Sequence, residues 1–428
     1  MSRCRSGFVV HFIRFEIFRD FHILSGGVGL KEIVHRVDAR VMKERPKTEP
    51  NSRIPGLDGL RALSVLLVVV SHVLLSISPN ELGRWEVLRP YLHGGLGVLF
   101  FFVISGYVIT RMLLREWQEF GSVSVAEFYK RRVIRLFPAA ALFVVTTSVL
   151  SLGMGQEVSS RCLLTAFTFS EGVFRQCDWN LAHLWSLTAE ELFYLGWPFL
   201  FLRVQKKPGL RWYGITVACC ATLRVALYLA NRRGLNFPID FSIVTHFDQM
   251  ATGSLLALLE KRYPQTLSRV FQRWGALPWT GVAVIIGIQG ASHLGCAGWL
   301  LLPFGPLLKA IAFASIMASF TFRPAGVLFN IATTRVATTI GLLSYSLYLW
   351  QQPFFRHVAS GSAVPGWLTE SALKCLWIFG LAWGSYTFVE VPIRKFAEKR
   401  GWLVNRRRRT DGGTNRNLHD SVIKFRKC

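Results

Sequence analysis

Residues 60–78 read LRALSVLLVVVSHVLLSIS, and two ionisable side chains, Arg61 and His72, bracket ten residues that are apolar or small. An arginine at mid-membrane costs about 2.5–3.5 kcal/mol, so a group of this kind needs something to offset it. Eleven helical steps of about 100° come to about three turns, which sets both side chains on one face, about 16 Å apart along the axis. Such a face sees both halves of a bilayer. The same residues also fit an interfacial arginine anchor and a core histidine satisfied by a neighbouring helix, so the rest of the chain has to decide.

The surrounding 428 residues are 51% hydrophobic and 13% aromatic, with a mean hydropathy of +0.34. Apolar runs of this length exclude an ordinary soluble domain and predict an all-α polytopic transmembrane bundle. About ten stretches are long enough for ~30 Å of hydrocarbon, some of them short or interrupted. They lie near 60–78, 94–114, 136–153, 186–202, 212–230, 242–259, 276–294, 300–320, 338–355 and 370–390. With the N-terminus inside, the cytoplasmic loops hold sixteen basic residues, from Arg111 to Arg335, and the opposite loops hold seven. Both termini are therefore expected in the cytoplasm, in a multi-pass protein of the plasma or inner membrane. A formal charge of +25 would suggest nucleic acid in a soluble chain. Here the basic residues fall between spans and at the termini, so they read as topology signals and contacts to membrane lipids, with no nucleic-acid partner.

Three segments follow. Residues 1–53 form a basic, aromatic extension that either lies on the membrane surface or precedes a true start at Met42. Residues 54–396 form the membrane domain, and 397–428 a basic cytoplasmic tail. The eight cysteines show no metal spacing, and no metal is expected. Cys162 and Cys177 share one outer loop, where an oxidising compartment would permit a disulfide.

Three stretches carry chemistry. The second span begins HGGLG at 93–97 and later holds Ser105 and Gly106, small residues that let a helix or a ligand approach the backbone. Lys130, Arg131, Arg132 and Arg135 give four cations in six positions, a phosphate site or a topology signal. NLAHLWSLTAEELFYLGWP at 180–198 places Glu190 and Glu191 among aromatics with no Lys or Arg nearby in sequence. If one helix already includes His183, seven residues bring His183 and Glu190 to one face, with Tyr194 a turn further on.

Taken together, Arg61 with His72, FFVISG at 101–106, RRVIR at 131–135, HLWSLTAEELFY at 183–194, SYSLYLW at 344–350 and FVEVPIRKF at 388–396 resemble the successive motifs of the acyltransferase type 3 family. The resemblance covers about residues 54–396. It implies a ten-span membrane O-acyltransferase that takes an acyl group, usually acetyl, from cytoplasmic acyl-CoA to a hydroxyl of a glycan or lipid-linked saccharide. On that resemblance His72, Arg61, Glu190 and His183 are the catalytic candidates, and Arg131, Arg132, Arg135 and Ser105 would bind the donor, acetyl-CoA or another acyl-CoA. His72 is suited to take the acceptor's proton or to carry the acyl group itself. Two positions depart from the pattern: Gln351 stands where His is common, and His246, before Asp248, where Arg is common. Asp248 is a candidate partner for a cation or an interfacial carboxylate. The chain ends soon after FVEVPIRKF, without the esterase-like domain fused to some relatives, so direct transfer is the simpler expectation. The alternatives are a proton-coupled transporter, which would also place Arg, His and Glu within spans, and acylation of a non-glycan small molecule.

Overall fold

The structure, a computed structural model, describes residues 54, 56–77, 82–205, 210–235, 241–355 and 367–402. The extension 1–53, with the Met42 reading, and the tail beyond 402 lie outside the described residues. Among those described, no strand forms. The chain runs through α1 (Leu57–Ser76), α2 (Gly94–Phe120), α3 (Val125–Gly153) and α4 (Ser160–Phe167). Two single turns, Glu171–Phe174 and Trp179–Ala182, lead into α5 (Trp185–Val204) and α6 (Leu210–Arg232). A 3-10 turn, Phe241–His246, opens α7 (Phe247–Arg262), followed by α8 (Pro264–Arg273), α9 (Leu277–His293) and α10 (Gly298–Phe322). After the short turn Val327–Ala332 come α11 (Arg335–Leu342), α12 (Ser344–Trp350) and α13 (Trp367–Ser385). A π-helical turn, Tyr386–Glu390, joins α13 to α14 (Val391–Lys399).

Among the described residues, six helical runs are long and apolar enough to cross a membrane: α1, α2, α3, α6, α10 and the run Leu373–Lys399. The pair α8 and α9, bent by 80°, makes a seventh if it is one broken span. The other expected spans, near 186–202, 242–259 and 338–355, fall on helices that are shorter or more charged: α5, α7 and the α11–α12 pair. Large apolar side chains are exposed on the outer faces, Val145 and Val149 on α3, Ile215 on α6, Trp279 and Ile286 on α9. In water such faces would associate; against acyl chains they are at rest.

The glycines of the second span serve helix packing. A Cβ on Gly106 would lie 1.9 Å from the Met250 carbonyl oxygen of α7, and one on Gly253 would lie 1.9 Å from the Val103 carbonyl of α2. With no side chain at either position the two backbones touch, and the Ser254 hydroxyl donates across the crossing to the Gly106 carbonyl at 3.1 Å. Gly97 rests on α1 in the same way, where a Cβ would come 2.3 Å from the Ser64 carbonyl. α2 ends at Gly121, with φ 63°, and α3 begins with Ser124 as its N-cap, whose hydroxyl accepts from the Glu127 amide at 3.3 Å. Between α3 and α5, Cys162 and Cys177 are joined in a disulfide. Inside that loop the buried Glu171 carboxylate accepts from the Thr165 hydroxyl (2.7 Å) and from the Gln176 (3.1 Å) and Cys177 (2.9 Å) amides.

Candidate active site

A cleft of about 710 Å³, counted to its mouth, lies where α1, α2, α3, α5 and α12 meet. Arg61 reaches it from α1, and Arg132 and Arg135 from α3. The Arg132 guanidinium lies over the Tyr194 ring, 3.4 Å from its centre. The Nε atoms of Arg61 and Arg132 are buried and find no partner in the protein. One carboxylate lines the same cleft: Glu190 accepts from the Ser105 hydroxyl at 2.8 Å and from the Tyr194 hydroxyl at 3.1 Å. Behind Arg135, Glu390 from the π turn accepts from the Ser346 hydroxyl and lies within electrostatic range of that guanidinium. The walls are held by side-chain bonds to helix carbonyls, Tyr129 to Leu195 and Tyr345 to Leu136, both 2.7 Å. Three guanidiniums, two of them with an orphaned donor, suit an anionic ligand, and phosphate oxygens above all.

The basic motif is split. Arg131 does not line the cleft; it donates to Glu116 at 2.8 Å, and the other oxygen of Glu116 accepts from the Ser124 amide at 2.8 Å. The tight turn at Gly121 folds α3 back on α2 and brings these partners together. Sequence spacing grouped Arg131 with Arg132 and Arg135, but only the latter two reach the cleft.

His72 lies further along α1, outside the cleft lining. Its Nδ1 bonds to the Val68 carbonyl at 2.9 Å. A carbonyl only accepts, so Nδ1 carries the proton and Nε2 keeps a bare lone pair. The edge of the ring meets Trp179, centre to centre 5.7 Å. Trp179 is pinned by a reciprocal clasp: its Nε1 donates to the Gln352 carbonyl at 3.0 Å, and Gln352 Nε2 donates back to the Trp179 carbonyl.

His183 corrects the single-helix reading. It closes the turn Trp179–Ala182, and α5 starts two residues later at Trp185, so the 700° rotation from His183 to Glu190 does not apply. His183 is buried, and its Nε2 donates to the Leu349 carbonyl at 3.1 Å. Its Nδ1 has no partner. Tyr348 joins it to the cleft: this ring lines the cleft, packs 5.4 Å from the His183 ring and donates to the His183 carbonyl at 2.9 Å. The Tyr348 proton being spent there, the Ser186 hydroxyl is the donor in their 2.5 Å contact. His183 and His72 lie within electrostatic range of each other. The rotation from Glu190 to Tyr194, within α5, does hold.

At the departing positions, Gln351 is fully buried with neither side-chain polar atom bonded in the protein. His246 packs 5.3 Å from both Phe102 and Trp185. Asp248 is a cation's partner: Arg224 donates to it at 2.7 Å, and also to the Pro303 carbonyl at 2.8 Å and to the Thr245 carbonyl. Sequence reading missed Arg224 as a partner, although it is the lone basic residue in the apolar run 212–230. It also missed Tyr345 and Tyr348 as cleft residues, for which the hydroxyl-rich SYSLYLW was the available signal. Among the described residues, no three His, Cys, Asp or Glu side chains gather as a metal site.

The acyltransferase domain family matches residues 54–387 of this chain. A protein of Staphylococcus aureus strain COL, provisionally named an O-acetyltransferase, is 30% identical over 371 residues, 80% of this chain and 57% of its own length. The O-acetyltransferase OatA of S. aureus strain NCTC 8325 is 27% identical over 392 residues, 84% of this chain and 60% of its own length. The chain thus spans less than two thirds of these relatives. No solved structure matches it.

Proposed function

Because the chain belongs to the acyltransferase type 3 family, we propose that it is a multi-pass membrane O-acyltransferase that draws an acyl group, acetyl in the first instance, from acyl-CoA. The group passes to a hydroxyl of a cell-envelope or exported glycan. The observation that carries this reading is the convergence of Arg61, Arg132 and Arg135 on one cleft, with His72 eleven residues beyond Arg61 on the same helix. In this arrangement the guanidiniums hold the CoA phosphates, and the thin acyl-pantetheine arm runs past Tyr348 towards the histidines. Glu190, fixed by two hydroxyls, tempers the charge of the cluster and positions Arg132 through Tyr194.

At the far end, His72 Nε2 accepts the proton of the acceptor hydroxyl as its oxygen attacks the thioester carbonyl. The carbon–sulfur bond breaks and the CoA thiolate leaves, to be protonated in turn. The Val68 carbonyl keeps the tautomer fixed throughout, and the imidazolium that forms is stabilised by the same bond. An acyl group carried on Nε2 uses the same lone pair. Ten crossings with both termini in the cytoplasm open the cleft to cytosolic CoA and turn the disulfide loop outward, where oxidation is favoured.

Transfer of label from [acetyl]-CoA by purified protein in proteoliposomes tests the reading, with candidate glycans supplied outside. His72→Ala should retain CoA binding and lose turnover by about 10²- to 10⁴-fold, the usual share of a positioned base. No hydrolysis or transfer by folded wild-type protein with any acyl-CoA would overturn it.

A further inference from the structure

The one charged residue of α10 is Lys309, the twelfth of its 25 residues. An ammonium at such depth marks a functional position unless something local neutralises it. Among the described residues Lys309 forms no ion pair. Its Nζ donates to Gln289 Oε1 of α9 at 3.1 Å, and Gln289 Nε2 donates in turn to the Pro90 carbonyl at 2.8 Å. That contact spends one of three ammonium protons. Tyr91 follows, its hydroxyl against Gly290, where a Cβ would come within 3.0 Å. The irregular segment before α2 is thus brought onto α9 and α10, and irregular backbone at membrane depth persists only where it is buried or lines a polar space.

Two residues on, exposed His93 caps α2, its Nδ1 accepting from the Gly95 amide at 3.1 Å, so its Nε2 is the protonated donor. Gly94 packs on Ser71, with a Cβ there 3.3 Å from the serine oxygen, which sets His93 beside the turn of α1 that carries His72. His93 is within electrostatic range of both Lys309 and His72. Among the described residues of this segment the carboxylate is Glu86, which is engaged by Arg89 at 3.1 Å, and Arg89 also caps the end of α1 through the Leu74 and Ile77 carbonyls, 3.1 Å each. His72 therefore neighbours one donor, His93, which in turn faces a fixed cation, Lys309, and the described residues of this segment bring no free carboxylate to them.

We propose that Lys309 and His93 form an anion subsite beside His72, which holds a carboxylate or phosphate carried by the acceptor. The inference rests on the acyl-transfer reading and adds the acceptor's charge class: an anionic saccharide is preferred to a neutral one. Lys309 acts as a point charge that draws the acceptor's anionic group, while the hydroxyl to be acylated meets His72 Nε2. A charge-assisted contact is worth about 1.5–3 kcal/mol, or about 10- to 100-fold in affinity.

The experiment uses the full chain in proteoliposomes, with a chitin oligosaccharide as neutral acceptor and a hyaluronan oligosaccharide of equal length as its uronate-bearing counterpart. Lys309→Gln should raise KM for the uronate oligomer about tenfold or more and leave kcat, and the neutral oligomer, within about twofold. Lys309→Arg should restore most of the preference. An equal effect on both oligomers, or none on either, would overturn the subsite. So would an effect that follows the phosphatidylglycerol content of the vesicles regardless of acceptor, which would make the bound anion a lipid headgroup. Calorimetric titration of both oligomers without acyl-CoA separates subsite from reaction. Uronate binding that depends on Lys309 without any turnover keeps the subsite and sinks acyl transfer, whereas binding indifferent to Lys309 sinks the subsite even if transfer proceeds.

Discussion

Gly253→Ala tests whether the cleft depends on a helix crossing that supplies none of its lining from the α7 side. The new methyl would start 1.9 Å from the Val103 carbonyl oxygen and 2.9 Å from the Tyr107 amide nitrogen. Both are backbone atoms and cannot rotate aside. Carbon–oxygen contacts of this kind are not seen below 3.0 Å, so α2 and α7 must part by about 1 Å. α2 carries Phe101, Ser105 and Val108 of the cleft wall, and Ser105 holds Glu190. Overpacking of this kind costs about 1–3 kcal/mol of stability, which a folded variant survives. A displacement of about 1 Å at a reacting geometry costs about 10²-fold in rate. The assay is acyl transfer in proteoliposomes, normalised to folded protein, with Gly287→Ala as a control, since a methyl on that α9 glycine meets nothing within 4 Å. The expected result is a loss of about two orders of magnitude for Gly253→Ala and none for Gly287→Ala. Wild-type turnover in both would refute the inference that bare backbone contact between α2 and α7 sets the cleft.

Arg132→Gln should weaken CoA binding by about tenfold or more, whereas Arg131→Gln should leave binding within about twofold and loosen the Gly121–Ser124 turn; calorimetry and hydrogen exchange read the two effects apart. Removing the disulfide by paired Cys162→Ser and Cys177→Ser substitutions releases a 15-residue separation, worth about 3 kcal/mol in the chain-entropy account. Amide exchange between residues 163 and 176 should then quicken by about 100-fold, and unchanged exchange would place the stability of the loop in Glu171 instead. Asp248→Asn leaves the buried Arg224 without its counter-charge and should destabilise the protein by about 3–5 kcal/mol, seen as a lowered denaturation midpoint in detergent.

The sequence was most informative where one chain segment settles the matter. The run around Arg61 and His72 reads as one helix because its apolar residues leave no other choice, and Cys162 and Cys177 could be paired because the charge pattern put both in one loop. It was least informative where partners meet across the bundle. Arg131 looks like its neighbours until the Gly121 turn brings Glu116 against it, fifteen residues away. His183 and Glu190 share a face only if the helix is unbroken, and nothing in NLAHLWSL announces a break before Trp185. Arg224 and Lys309 were lost inside runs counted as apolar, because averaging over a window hides the single residue that departs from it.

The π turn at Tyr386–Glu390 makes the back wall of the arginine cleft sensitive to the number of residues in this one turn. A π turn accommodates one residue more than an α turn, and it is this surplus that swings Glu390 towards Ser346 and the back of Arg135. Deleting any one residue there would restore a regular α-helix and cost little as helix. Everything beyond, Arg394 and Lys395 included, would keep about its present face, because the wider turn absorbs the extra residue locally, and what would be lost is the displaced turn that carries Glu390. Insertions in the surface loops can drift freely among descendants of this sequence. Here the count of residues is itself under constraint, so a one-residue gap in this segment of any aligned homologue would signal a different back wall to the arginine cleft.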